Sequence, residues 1–254
     1  MKMKKLIASV AAGAMMLVGA SQALAAFADL NLIRVFYTKE TNLQVGHDIL
    51  TMNLDDWKDP ATTPINLVVG GGPQAFSPSI LGVSSFSTIQ VAYYAKNSST
   101  ADAWLTHDFP TGGKIESGAK WNGFSANTNK TYTGFSMASG SSFPLSSVFG
   151  YYFTHNSNMP TQEGRFSAIY STIGLGEVNL ADLNPGGIGY VDQYLYFFDT
   201  PNTMHSPGKM VAVIRTMADG TTVINPSAVP IPASVLLLGS GLLGLVGVRR
   251  KTRI

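Results

Sequence analysis

The segment from Ser234 to Val248 holds no charged side chain and runs straight into Arg249-Arg250-Lys251-Thr252-Arg253. Nothing else in the chain restricts folding so strongly, because an apolar run of this kind needs a non-aqueous neighbour. As a helix rising about 1.5 Å per residue, Pro232 to Val248 spans about 25 Å, the low edge of a bilayer's hydrocarbon thickness. Ser234 and Ser240 are its only hydroxyl side chains. Gly239, Gly241, Gly244 and Gly247 would weaken a helix in water, yet small residues suit the close approach of helices in lipid. Pro230 and Pro232 favour extended backbone and mark a helix start near Ala233. The cations Arg249, Arg250, Lys251 and Arg253 hold that end in the cytoplasm by the positive-inside rule. A buried hairpin or core helix is the competing reading; a cationic terminus directly after the run counts against it.

The other end predicts the same topology. Lys2, Lys4 and Lys5 form a charged leader, Leu6 to Ala20 an apolar stretch, and Ala23-Leu24-Ala25 an Ala-x-Ala cleavage site, which puts the mature start at Ala26. The Sec translocon and signal peptidase are the partners such a leader meets. The expected organisation is a signal peptide over 1–25, an exported body over 26–226 and a sorting tail over 227–254. Within the tail the membrane helix covers about 233–248 and the basic stop 249–253.

The tail resembles the PEP-CTERM sorting signal of Gram-negative bacteria, in the variant where Val-Pro-x-Pro-Ala replaces Pro-Glu-Pro. The matching residues are Val229, Pro230, Ile231, Pro232 and Ala233, then Leu236 to Leu245, then Arg249-Arg250-Lys251. Ile231 stands where the family's usual tag has Glu. The resemblance implies an exosortase, a transpeptidase-like membrane enzyme that uses cysteine, as partner. It also implies an inner-membrane-anchored precursor, transfer to the cell surface, and a link to exopolysaccharide, biofilm or floc matrix.

Composition bounds the body. All 15 acidic residues lie between Asp29 and Asp219, and seven of the 17 cations sit in the two terminal segments. The body therefore carries 10 cations against 15 acids, a net −5. That argues against nucleic acid, which rewards a basic surface. The absence of cysteine excludes thiol catalysis, iron–sulfur clusters and Cys-ligated zinc, and leaves stability to core burial. A body rich in Gly, Ser, Thr, Asn, Tyr and Phe favours strands and tight turns over helices.

Alternation with period two predicts the strands. In Thr88–Lys96, Ile89, Val91, Tyr93 and Ala95 share a face. In Asn31–Lys39, Ile33, Val35 and Tyr37 do. Tyr190–Phe198 sets Val191, Gln193, Leu195 and Phe197 against Tyr190, Asp192, Tyr194 and Tyr196. Lys209–Thr216 and Thr221–Asn225 flank Asp219-Gly220, a hairpin signal. Phe149–Thr154 and Phe166–Ile173 read as further strands; Ser79–Ser85 and Val178–Leu183 as single helical turns. No amphipathic helix of useful length shows between Ala26 and Val229. The predicted fold is all-β, an antiparallel sandwich or jelly roll.

Candidate chemistry is sparse. His47, His107, His155 and His205 are scattered; His47-Asp48 and His107-Asp108 would point to opposite faces of a strand. A metal held by two of them competes with solvated loop histidines. Asp182 and Asn184, ahead of Gly186, open like a calcium loop, with Asp192 and Asp199 downstream, but Asp-x-Asn-Pro-Gly is also ordinary turn chemistry. No nucleophile elbow, phosphate loop or singled-out carboxylate pair occurs. Trp57, Trp104 and Trp121 lie among Asp, Asn and Lys, so each either stacks on a sugar ring or caps the core. The expectation is a non-enzymatic surface or matrix component without a cofactor; a carbohydrate-binding module and, more remotely, a secreted hydrolase are the alternatives.

Overall fold

A computed structural model describes residues 27–49, 53–108, 110, 118–138, 141–155, 176–199 and 208–227. The leader, the sorting tail, and the strand expected over Phe166–Ile173 lie outside the described residues.

The body is mainly antiparallel β, as the composition predicts. Strands β1 (Ile33–Thr38), β2 (Leu43–Asp48), β3 (Leu67–Val69), β4 (Ile89–Asn97), β5 (Asp102–His107), β6 (Phe143–Pro144), β7 (Val178–Asn179), β8 (Tyr190–Phe198), β9 (Lys209–Met217) and β10 (Thr222–Ile224) form one sheet. Its order is β3-β10-β9-β8-β5-β4-β1-β2-β6, with β7 also pairing to β4. The β9–β10 hairpin turns at Asp219-Gly220 as expected, with Gly220 at φ +81°. An L side chain is strained in that conformation.

The sheet curls far enough for β1 to meet β10 across its concave face. Arg34 of β1 donates from Nη1 to Thr222 Oγ1 of β10 at 3.0 Å and to the Gly220 carbonyl at 2.8 Å, although four strands separate β1 from β10 in the sheet. Its Nη2 reaches the carbonyls of Gly70 and Gln74. Beside it, the Tyr93 hydroxyl bonds Thr216 and Thr222, and Phe36 stacks on Phe76 at 3.7 Å. The layering thus comes from a single sheet wrapped around its own concave face, a half-barrel.

The inner face carries one hydrophobic cluster: Phe36, Val45, Ile89, Val91, Tyr93, Trp104, Leu195, Phe197, Ile214 and their neighbours. The outer face of β1, β4, β5 and β8 carries a second: Ile33, Val35, Tyr37, Ala92, Tyr94, Leu105 and Tyr196. Every alternating face predicted for β1, β4 and β8 is observed.

Covering the second cluster is helix α1 (Gly118–Ala138), which overturns the expectation that no long helix occurs. Among its described side chains the buried positions are Phe124, Asn127, Thr128, Thr131, Tyr132, Gly134 and Phe135, at helical spacing. Polar residue types at three of them hide the pattern. The Thr hydroxyls are satisfied inside the helix, Thr128 on the Phe124 carbonyl and Thr131 on that of Thr128, both at 2.9 Å. Their methyls are then free to pack. Gly46 of β2 makes room, since a Cβ there would lie 2.4 Å from the Phe135 ring.

A second correction concerns Tyr151–His155, read as part of a strand, which forms the short helix α2. An aromatic run this short carries no period that distinguishes the two. Of the predicted single turns, Ser79–Ser85 appears as a 3-10 turn at Pro78–Leu81, whereas Val178–Leu183 divides into strand β7 and a 3-10 turn at Ala181–Leu183.

Candidate functional site

Where the helical cover stops, the outer face opens into a cleft of about 570 Å³ lined by Tyr37, Lys39, Glu40, Thr88 and Gln90. Sheet register builds it. Tyr37 at the end of β1 lies opposite Gln90 at the start of β4 and, on its other side, opposite Gln44 of β2. Chain order hides this grouping, because nothing in the sequence says that β1 pairs with β4 rather than with a nearer strand.

The walls are held from behind. Tyr37 Oη donates to Glu177 Oε2 at 2.5 Å and Tyr151 Oη to Glu177 Oε1 at 2.7 Å. Burial, and then the Glu177 carboxylate, push the Tyr151 phenol well above its ordinary range. Gln44 fixes the start of α2: its Oε1 accepts the Tyr152 backbone N–H and its Nε2 donates to the Pro144 carbonyl, both at 3.0 Å. Tyr152 then lies 5.2 Å from Tyr37, ring centroid to centroid, and its own ring faces Lys39 Nζ at 5.8 Å. At the mouth, Thr88 Oγ1 donates to Glu40 Oε2 at 2.9 Å.

The residues singled out from the sequence fall elsewhere. Trp57 and Trp104 are only 1 % and 0 % exposed, and Trp104 Nε1 donates to the Trp57 carbonyl at 2.8 Å. They belong to the inner core and offer no ring face to a glycan. This corrects their candidacy: Asp55, Asp56 and Lys58 belong to a turn beside a buried indole, and Asp102 opens β5. Trp121 lies on α1, and its side chain is outside the described part.

Asp182 and Asn184 form a turn. Asn184 Oδ1 accepts the Phe86 N–H at 2.9 Å while its amide donates to Ser87 Oγ and the Ala181 carbonyl. The downstream Asp192 takes Arg215 through both carboxylate oxygens, at 2.7 and 2.8 Å. The side-chain oxygens of Asn184 and Asp192 are thus already committed. Among the described residues no group of three His, Cys, Asp or Glu side chains gathers as a metal site requires.

His47 and His107 do not meet. His47 lies opposite Arg34 on the inner face, whereas His107 lies opposite Tyr194 on the outer one. His107 Nδ1 approaches Asp108 at 3.3 Å, contrary to the opposite-face expectation, because β5 ends at His107 and Asp108 is no longer on the pleat. His155 lies on α2 with its side chain outside the described part, and His205 is outside it altogether. Burial, then the Arg34 charge, lower the His47 pKa to about 3.

A shallower groove of about 670 Å³ runs between Phe27–Asp29 and the Asn129, Tyr132, Thr133 and Ser136 side of α1. Among the described residues, no helix is long and apolar enough to cross a membrane. No protein-family model matches the chain, and neither a curated protein nor a solved structure matches it.

Proposed function

We propose that the chain is an exported, non-enzymatic component of the cell surface or extracellular matrix, delivered by an exosortase-type system. Its curled sheet serves as a compact, sandwich-like body. The observation that carries this reading is the order of the terminal segment: Val229-Pro230-Ile231-Pro232-Ala233, an uncharged run, then Arg249-Arg250-Lys251. A cleavable leader at the opposite end, with Ala23 and Ala25 before Ala26, supports the same route. A body with a net −5 and no cysteine suits an exported domain that folds without disulfides.

Two other classes compete. A secreted hydrolase needs a free nucleophile or an available carboxylate pair; Glu177, at the back of the cleft, instead has each oxygen accepting a phenol hydrogen bond. A carbohydrate-binding module remains compatible with the cleft, though not through Trp57 or Trp104.

Cell fractionation with mass spectrometry of the mature protein tests the proposal. The expected result is a chain that begins at Ala26, has lost the segment beyond the sorting motif, and resides at the surface or in matrix. A soluble periplasmic chain that keeps Val229–Ile254 intact would overturn it.

A further inference from the structure

We infer that the outer face of β3 and β10, where the terminal tail leaves the body, rests on the lipid headgroups of the bilayer that the tail enters. The inference rests on the reading of Ser234–Val248 as a membrane span.

Charge sets this end of the sheet apart. The body carries a net −5, yet no residue from Pro60 to Ala95 is charged, and none from Gly220 to Val248. Strand pairing brings the two stretches together, β3 from the first and β10 from the second. Val68 lies opposite Val223, and Val223 opposite Arg215. The valines therefore share the outer face with Arg215, whose charge Asp192 meets through both carboxylate oxygens. Val68 is 61 % exposed and Ile65, just before the strand, 74 %. A net-negative body approaches a bilayer containing anionic lipid most easily through an uncharged face.

Geometry then decides what this face meets. Asn66 Nδ2 donates to Ser227 Oγ and the Ser227 N–H donates to Asn66 Oδ1, both at 2.6 Å. The Asn66 N–H also donates to the Asn225 carbonyl at 3.1 Å, and Asn225 Nδ2 to the Pro64 carbonyl at 3.0 Å. The tail is thus pinned beside Ile65 as it leaves. The uncharged run starts at Ser234, at most about 25 Å of extended chain beyond Ser227. Because β1 and β10 meet across the concave side, their outer faces point apart. Helix α1 covers the one and, among the described residues, nothing covers the other.

The strand edge favours headgroups over the alternatives. β3 ends the sheet and pairs only with β10, which leaves a row of its backbone N–H and C=O groups for outside partners. Headgroup phosphates, ammonium groups and water satisfy that row and hydrocarbon does not, so the contact lies at headgroup level. A second copy of the chain is the weaker occupant. Two side chains and a three-residue edge fall well short of the roughly 1,200 Å² that a stable interface buries. A tethered face needs little affinity of its own.

The test uses the mature full-length protein in nanodiscs of equal parts phosphatidylethanolamine and phosphatidylglycerol, with some of the lipid carrying a nitroxide near the headgroup. The chain has no cysteine, so one introduced thiol takes one fluorophore. Val68→Cys and Ile65→Cys label the proposed face, and Met137→Cys, exposed on α1, is the control. The expected result is nitroxide quenching severalfold stronger at the Val68 and Ile65 positions than at Met137, with quenching by aqueous iodide in the opposite order. Adding Val68→Asp to Ile65→Cys should bring its label most of the way to the control. Labels on the face as open to iodide as the control overturn the inference. Shielding from iodide without nitroxide quenching overturns it as well, since protein would then cover the face. Unchanged nitroxide quenching in the Val68→Asp protein does the same, because the tether alone would then account for proximity. A chain that does not co-elute with the discs removes the membrane reading of the tail and this inference with it. A disc-bound chain with an open face removes the inference alone.

Discussion

The two faces of the curled sheet are built on different principles. The concave face is filled by large side chains from the sheet itself: Phe36, Tyr93, Trp104, Leu195 and Phe197. The convex face is half covered by a helix whose contact surface is largely Thr, Asn, Tyr and Gly, and half open around the cleft. The first face is a hydrophobic core in the ordinary sense. The second relies on close approach and on hydroxyls that satisfy themselves within the helix. The difference teaches that burial and hydropathy separate wherever a polar group finds its partner locally.

If the inner face supplies most of the stability, Trp104→Ala should be the most damaging single change. The indole is fully buried and its N–H serves the Trp57 carbonyl, so the expected loss is about 3–5 kcal/mol. Urea unfolding followed by circular dichroism reads it. A loss no larger than that of the helix-face changes below would reverse the comparison.

Acid sharpens the same contrast, because the inner face also carries the charged Arg34 and the neutral His47. The His47 pKa falls from 6.5 to about 3 on folding. Between those values the unfolded chain binds more protons, so stability rises with pH. It is full above about pH 6.5 and is lost by about 1.4 kcal/mol per unit as pH falls through that window. Asp55 and Asp59 are lowered below 3.8 by Lys58 and Lys209 respectively, so they contribute chiefly at the acid end. Asp108, raised by burial, acts with the opposite sign. The pH dependence of unfolding should flatten between pH 4 and 6 in His47→Gln relative to the parent. Equal slopes would place His47 in contact with water.

The sequence made the inner face legible and concealed much of the outer one. β1, β4 and β8 alternate cleanly, and their predicted faces are the observed ones; Asp219-Gly220 marks the β9–β10 hairpin. β2 and β5 escaped because Leu43–Asp48 contains Gly46 and the polar pair His47-Asp48, while Asp102–His107 opens on an acid. Each reads as turn chemistry until its pairing is known. α1 escaped for a different reason: Asn127, Thr128 and Thr131 occupy buried helical positions, so a period-3.6 pattern exists in burial but not in hydropathy. The cleft could not be read at all. Its lining joins residues some fifty positions apart in the chain, brought together by register alone.

Two changes probe the helix contact. Gly46→Ala drives a methyl to 2.4 Å from the Phe135 ring, which must move α1 or the strand. The expected cost is about 1–3 kcal/mol, read by urea unfolding, and the loss should shrink when Phe135→Ala is added. If the pair is simply additive, Phe135 does not set the spacing.

The finest test asks whether the threonines on α1 act as polar or as apolar residues. Thr131 Oγ1 accepts from the Tyr94 phenol at 2.9 Å besides donating to the Thr128 carbonyl. Thr128 Oγ1 only donates back to the Phe124 carbonyl, which the helix ladder also serves. Valine keeps the branched shape of either residue and removes only the hydroxyl. Thr131→Val takes an acceptor from a buried phenol and should cost about 1–2 kcal/mol. Thr128→Val loses nothing that another residue depends on, and its effect should stay within about 0.5 kcal/mol of zero. Paired urea titrations give the difference directly. Equal losses would mean that both hydroxyls act through the helix itself, and the contrast between the two faces would then come down to packing alone.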